Sequence, residues 1–239
     1  MICCAKKKKT VTKFDSDFLK KETSDGRIGI IASVENAAGL GTEKATWPEI
    51  YKQFDSMLVT VGQLAYIGLT HHTENRFGGG NYVEGVGLKE DGKRLLDYMA
   101  GKKIPIDLSH TSDLLAEGIL NHIDRHHLPI PVIASHSNFR ALWDHKRNLT
   151  DEFAQEIINR GGIIGVNFLR EFLDRDVPER LFEHILHGIK LSEDAICFGA
   201  DFFLHQEFSR PKQTAVLFPF GRKCRKISLD LRIAKPKPE

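Results

Sequence analysis

From residue 28 to residue 201 the chain alternates between short, almost unbroken apolar runs and longer stretches where apolar residues return every three or four positions. The runs at 28–34 (IGIIASV), 64–70, 104–110, 129–136, 163–168 and 195–200 read as strands covered on both faces. Between them lie helices. One opens at Trp47-Pro48, where proline suits a first turn, and runs to about Met57. A second carries Leu95, Leu96 and Met99, and a third has Leu114, Leu115, Ile119 and Ile123 at the spacing of one face. Thr150 caps a fourth, whose first turn holds Asp151 and Glu152 and which buries Phe153, Ile157 and Ile158 until Gly161-Gly162 ends it. Pro178 starts a fifth, with Leu181, Phe182, Ile185, Leu186 and Ile189 inward. Ahead of all these, residues 10–24 hold Phe14, Phe18 and Leu19 in an amphipathic helix ending near Asp25-Gly26. Strand, helix, strand connections force parallel pairing, so the pattern is an α/β parallel sheet, open or closed into a barrel.

Candidate chemistry separates those two options. Glu35, His71, His110, His136, Asn167 and Asp201 each close an apolar run. Parallel strands end on one rim, so a barrel gathers all of them on one face, where such enzymes keep their sites. An open doubly wound sheet uses one switch point and needs no polar residue on every strand. The ordinary reading of any one of these is a capping or surface residue; their joint placement favours a metal-assisted site in a barrel. The remaining histidines, among them His72, His122, His145, His184 and His187, lack that placement and read as solvent-facing or packing residues. Gly78-Gly79-Gly80 fits no phosphate-loop pattern and reads as flexible loop.

Composition narrows the partners. With 239 residues, 41% hydrophobic, the chain can bury a substantial core, and a net charge of +2 argues against nucleic acid. Cys3, Cys4, Cys197 and Cys224 form no CxxC pair, so a reducing, cytoplasmic compartment is expected. No apolar run approaches the roughly 20 residues that span a bilayer. Lys6 to Lys9 follow the apolar opening rather than precede it, unlike a signal peptide, and read as a solvated end.

The strings SVEN (33–36), LTHHTEN (69–75), IDLSH (106–110), IASHSN (133–138), KRNLTDE (146–152), GGIIGVNF (161–168) and GADF (199–202) resemble, in order, those of the membrane (renal) dipeptidase family. That resemblance implies an eight-stranded (β/α)8 TIM-type barrel of the metal-dependent hydrolase kind that cleaves dipeptides with two zinc ions. By motif, Glu35 resembles the carboxylate that bridges the zincs, and His110 and His136 resemble the other ligands of the second. His71 looks like the residue that bonds substrate or tetrahedral intermediate, Arg147 like the clamp for the substrate's terminal carboxylate, and Asp201 like the acid/base. Read from the residue alone, Arg147 is a surface ion pair.

Two departures shape the expectation. The family's first strand supplies an H-x-D pair for the first zinc, and no H-x-D precedes Glu35. The expected architecture is therefore an incomplete barrel with about six of eight βα units. Its divisions are a basic N-terminal segment and helix (1–27), a partial barrel (28–203) and a divergent basic tail (204–239), where the family's DFDG is replaced by Asp201-Phe202-Phe203-Leu204. Dipeptide hydrolysis, in a chain that could form a homodimer, is the first reading, with weak or no turnover expected of the isolated chain. The alternative is an impaired relative that acts as a metal or peptide binder.

Overall fold

The computed structural model describes residues 31–177 and 179–201, so the expected N-terminal helix, Pro178 and the basic tail lie outside the described residues. Among the described residues six strands follow in order: β1 (Ala32–Val34), β2 (Leu64–Gly68), β3 (Ile106–Asp107), β4 (Val132–Ile133), β5 (Ile164–Val166) and β6 (Ile196–Phe198). Helices α1 (Trp47–Val61), α2 (Glu90–Met99), α3 (Asp113–His126), α4 (Asp151–Asn159), α5 (Arg170–Leu173) and α6 (Arg180–Leu191) alternate with them. Every ladder is parallel, in the spatial orders β1-β2-β3-β4 and β5-β6. One parallel bridge, Ala134 to Ile164, links the two sheets. Spatial order thus repeats sequence order, with none of the reversal that defines a doubly wound sheet.

Local chemistry sets the element ends. Thr46 and Glu49 form a reciprocal capping box at α1, Ser112 Oγ caps α3 at Leu115 N, and Thr150 Oγ1 caps α4 at Phe153 N. Gly161 leaves α4 with φ 72°, a left-handed conformation that costs glycine nothing. The main core lies between strands and helices: Ile50, Phe54, Ile67, Leu95, Leu96, Met99, Ile106, Leu115, Ile119 and Ile157 are all fully buried there. Each such side chain contributes about 1.5–3 kcal/mol through apolar area removed from water. That core fixes the strand ends, and with them the rim.

Three expectations need correction. Leu114 is 48% exposed, and α3 packs instead through Leu115, Ala116, Ile119, Leu120 and Ile123. Phe182 and Leu186 point outward, 58% and 57% exposed, while Leu181, His184 and Gly188 form the buried face of α6. The triple glycine is buried rather than loose. A Cβ at Gly80 would stand 2.2 Å from His71 O, and the backbone there bridges to Thr111.

Candidate metal centre

Glu35 follows β1 directly, and Gly68 of β2 makes room for it, since a Cβ there would meet Glu35 O at 2.5 Å. His71, His110, His136 and Asp201 each come three residues after the last residue of β2, β3, β4 and β6, and Asn167 comes one after β5. Parallel strands bring them to the same rim. His110 and Asp201 both adopt positive φ, 66° and 50°, a left-handed conformation uncommon outside glycine.

Three donors converge. Glu35 Oε1 lies 3.1 Å from His110 Nε2 and 3.2 Å from His136 Nε2, and the two Nε2 atoms are 3.1 Å apart. Donors bound tetrahedrally at 2.0–2.1 Å would be about 3.3 Å apart, so the triangle has the dimensions of a zinc-sized cation. His71 Nε2 stands further off, 3.7 Å from the same oxygen. His71 and His72 form a second imidazole group with His110.

The electrostatics agree with that geometry. Burial makes an imidazolium costly at His110 and holds its pKa down to about 3, so the ring is neutral. Its Nδ1 lies 3.2 Å from Asn81 Oδ1, an acceptor, which puts the ring proton on Nδ1 and leaves the Nε2 lone pair facing Glu35. A carboxylate and an inward-facing imidazole lone pair, crowded within van der Waals contact of a second imidazole, suit a cation. Burial, then His72, also lowers His71.

Arg147 is not a surface ion pair. It is 3% exposed, donating from Nη1 to Ser137 Oγ at 2.9 Å and from Nη2 to the His136 carbonyl at 2.7 Å. Burial lowers its pKa to about 10, and Asp107, Asp201 and Glu35 oppose that shift, so the guanidinium stays charged at neutral pH. Asp201 Oδ2 accepts from Asn167 Nδ2 at 3.0 Å, and Asp201 shares a cavity of about 260 Å³ with Glu35, Tyr66 and His136.

Several site residues escaped the sequence reading. Asn81 holds both His110 and His72, the latter at 3.1 Å, and Tyr82 stacks on His72 with centroids 4.7 Å apart. His145 accepts the Arg147 backbone N–H at 3.1 Å and packs on Phe172. His72 is thus tied to His110 through Asn81, and His145 to the backbone of Arg147. Asp107, 1% exposed, was a visible signal: a carboxylate inside an apolar run.

Rim and sheet together define an α/β protein with a cluster of imidazoles and a carboxylate at its strand ends that could hold a cation. The chain belongs to the membrane dipeptidase family, peptidase family M19, whose model matches residues 1–218. An uncharacterized protein in the pqqA 5′ region of Klebsiella pneumoniae is 30% identical over 193 residues, covering 74% of this chain and 66% of that one. An uncharacterized dipeptidase of Schizosaccharomyces pombe is 30% identical over 190 residues, covering 75% and 42%. Among solved structures, a metallo peptidase from Rhodobacter sphaeroides liganded with a phosphinate mimic of L-Ala-D-Ala aligns with TM-score 0.55 and 28% identity. That alignment covers 63% of this chain and 46% of the solved one, so the chain spans about half the length of its solved relative. No helix among the described residues is long and apolar enough to cross a membrane.

Proposed function

We propose that this chain is a zinc-dependent dipeptidase whose strands form six βα units of a (β/α)8-type barrel. The observation that carries the reading is the triangle of Glu35, His110 and His136, which matches zinc in both donor type and spacing. Zinc held there would polarise the scissile carbonyl and supply a water acidified to a pKa of about 7. Three donors are present for this one ion.

The chain's own groups divide the remaining work. Asn167 fixes Asp201 Oδ2, and the Asp201 carboxylate, which lines the cavity, would take a proton and pass it to the leaving amine. His71, neutral because of its burial, reaches toward the same point and offers a hydrogen bond to the reacting carbonyl oxygen. Arg147 supplies a fixed positive charge behind His136 that favours a substrate with a free carboxylate. A cavity of about 260 Å³ lies just under the usual range for small-molecule sites and suits a dipeptide better than a longer chain.

The test is hydrolysis of simple dipeptides by the purified chain with added zinc, read as free amino acids by chromatography. Slow release, in keeping with the missing H-x-D pair, is expected from the free dipeptide, not from its C-terminal amide, and is lost in His136→Ala. Zinc binding without release from any simple dipeptide would leave only a metal-dependent binder.

A further inference from the structure

The hydrogen bonds behind His136 run in one direction. Asp107 Oδ1 accepts the backbone N–H groups of Ser109 at 3.0 Å and Ser135 at 2.8 Å. Asp107 Oδ2 takes the Ser135 hydroxyl at 2.5 Å, and Ser135 Oγ lies 2.6 Å from His136 Nδ1. A serine hydroxyl has a single proton to give. Offered a carboxylate and an imidazole nitrogen, it goes to the carboxylate, because the charge-assisted bond is the stronger. Ser135 Oγ can then meet His136 Nδ1 only as an acceptor. Nδ1 must carry the ring proton, and Nε2 keeps its lone pair toward Glu35 and His110.

We infer that Asp107 and Ser135 are positioning residues that set the tautomer of His136 and so make its Nε2 a metal donor. The inference rests on the metal-site reading above. Asp107 contacts neither rim carboxylate nor cavity; it acts through Ser135. The two imidazoles of the triangle are thus oriented by different means: Asn81 holds His110 Nδ1 directly, whereas His136 Nδ1 is held through a relay. Ser109 fixes the other side of His136, accepting its backbone N–H at 3.0 Å, so the end of β3 governs both ligands.

Asp107→Asn reverses the relay while sparing the fold. Asparagine Oδ1 retains both backbone donors, and its amide nitrogen replaces Oδ2 and donates to Ser135 Oγ. The hydroxyl proton must then turn to His136 Nδ1, which becomes an acceptor, and the ring proton moves to Nε2. The metal-facing nitrogen is blocked with no change in side-chain size.

The experiment uses the full chain labelled with 15N. Long-range 1H–15N spectra of the zinc-free protein at pH 8 report which nitrogen of His136 carries the proton, and competition with a chelating dye reports zinc affinity. Expected are a protonated Nδ1 in the wild type, a bare Nδ1 in Asp107→Asn, and zinc binding weakened 10–100-fold in that variant. Ser135→Ala costs only a few-fold. The double variant has no hydroxyl to turn and returns to the Ser135→Ala level. A bare Nδ1 in the wild type, or a double variant as weak as Asp107→Asn, overturns the inference. Should Asp107→Asn not fold, the wild-type spectrum decides alone. Neither readout needs a dipeptide, so absent turnover would sink the proposed activity and leave this result standing. Absent zinc binding in the wild type would sink the metal site itself.

Discussion

His110→Asn provides the sharpest test of the donor triangle, because asparagine tolerates the left-handed backbone at φ 66° and removes only the imidazole. Structural zinc sites with four ligands bind with about 10–16 kcal/mol, roughly 3 kcal/mol for each ligand. Losing one donor therefore weakens binding about a hundredfold. At a zinc concentration of about 100 Kd the wild type gains about 2.7 kcal/mol of stability. The variant, with zinc then near its own Kd, gains only about 0.4 kcal/mol. For a chain of this length each kcal/mol moves Tm by about 2–4 °C. Zinc should raise the wild-type Tm by about 5–11 °C and the variant's by about 1–2 °C, read by scanning calorimetry with and without the metal. His126→Ala, which removes an exposed imidazole at the end of α3, should keep the full rise. A full rise in His110→Asn, or an equal loss in His126→Ala, would refute a single site built on Glu35, His110 and His136.

Other regions yield separate tests. Gly80→Ala would push a methyl to 2.2 Å from His71 O and 2.5 Å from His72 C, backbone atoms that cannot rotate away, so a loss of about 3 kcal/mol is expected in urea unfolding. An unchanged midpoint would show that the loop yields. His184 is fully buried, accepts the Phe139 N–H at Nδ1 and bonds Leu173 O through Nε2, and burial lowers its pKa from 6.5. The unfolded chain therefore takes this proton more readily. Its contribution is complete above about pH 6.5 and falls below that at up to about 1.4 kcal/mol per pH unit, a slope that His184→Gln should remove from urea titrations at pH 5 to 8. Arg160 forks onto Asp124 with two 2.7 Å bonds, yet Asp124 is 58% exposed, so Arg160→Ala should cost less than about 1 kcal/mol. A loss above 2 kcal/mol by the same measurement would mean that solvent screens this pair less than its exposure implies.

The rim was legible because it depends on local order alone. Once alternating runs dictate parallel strands, the residue closing each run must reach one face, and Glu35, His110 and His136 follow whatever the loops do. The surroundings of the rim depend on contacts far apart in sequence, and no periodicity records them. Asn81 meets His110 because Gly78-Gly79-Gly80 packs tightly enough to bring the loop against residues 110–112 beyond β3, a steric fact that a run of three glycines does not distinguish from looseness. Helix α6 makes the same point from the opposite side. Phe182 and Leu186 form an apolar stripe one turn apart, and hydrophobicity alone turns them inward. The face that packs is the one bearing Gly188, where a Cβ would meet Ile196 Cδ1 at 2.8 Å and Phe139 Cζ at 2.9 Å. Close approach selected the smallest residue, and His184, one turn earlier, could bury its ring because two backbone groups satisfy both nitrogens. A polar residue inside an apolar pattern is thus the sequence's most informative departure: at Asp107 and at His184 it marks a place where the backbone had hydrogen bonds to offer, and Asp107 takes one more from the Ser135 hydroxyl, which leads to His136.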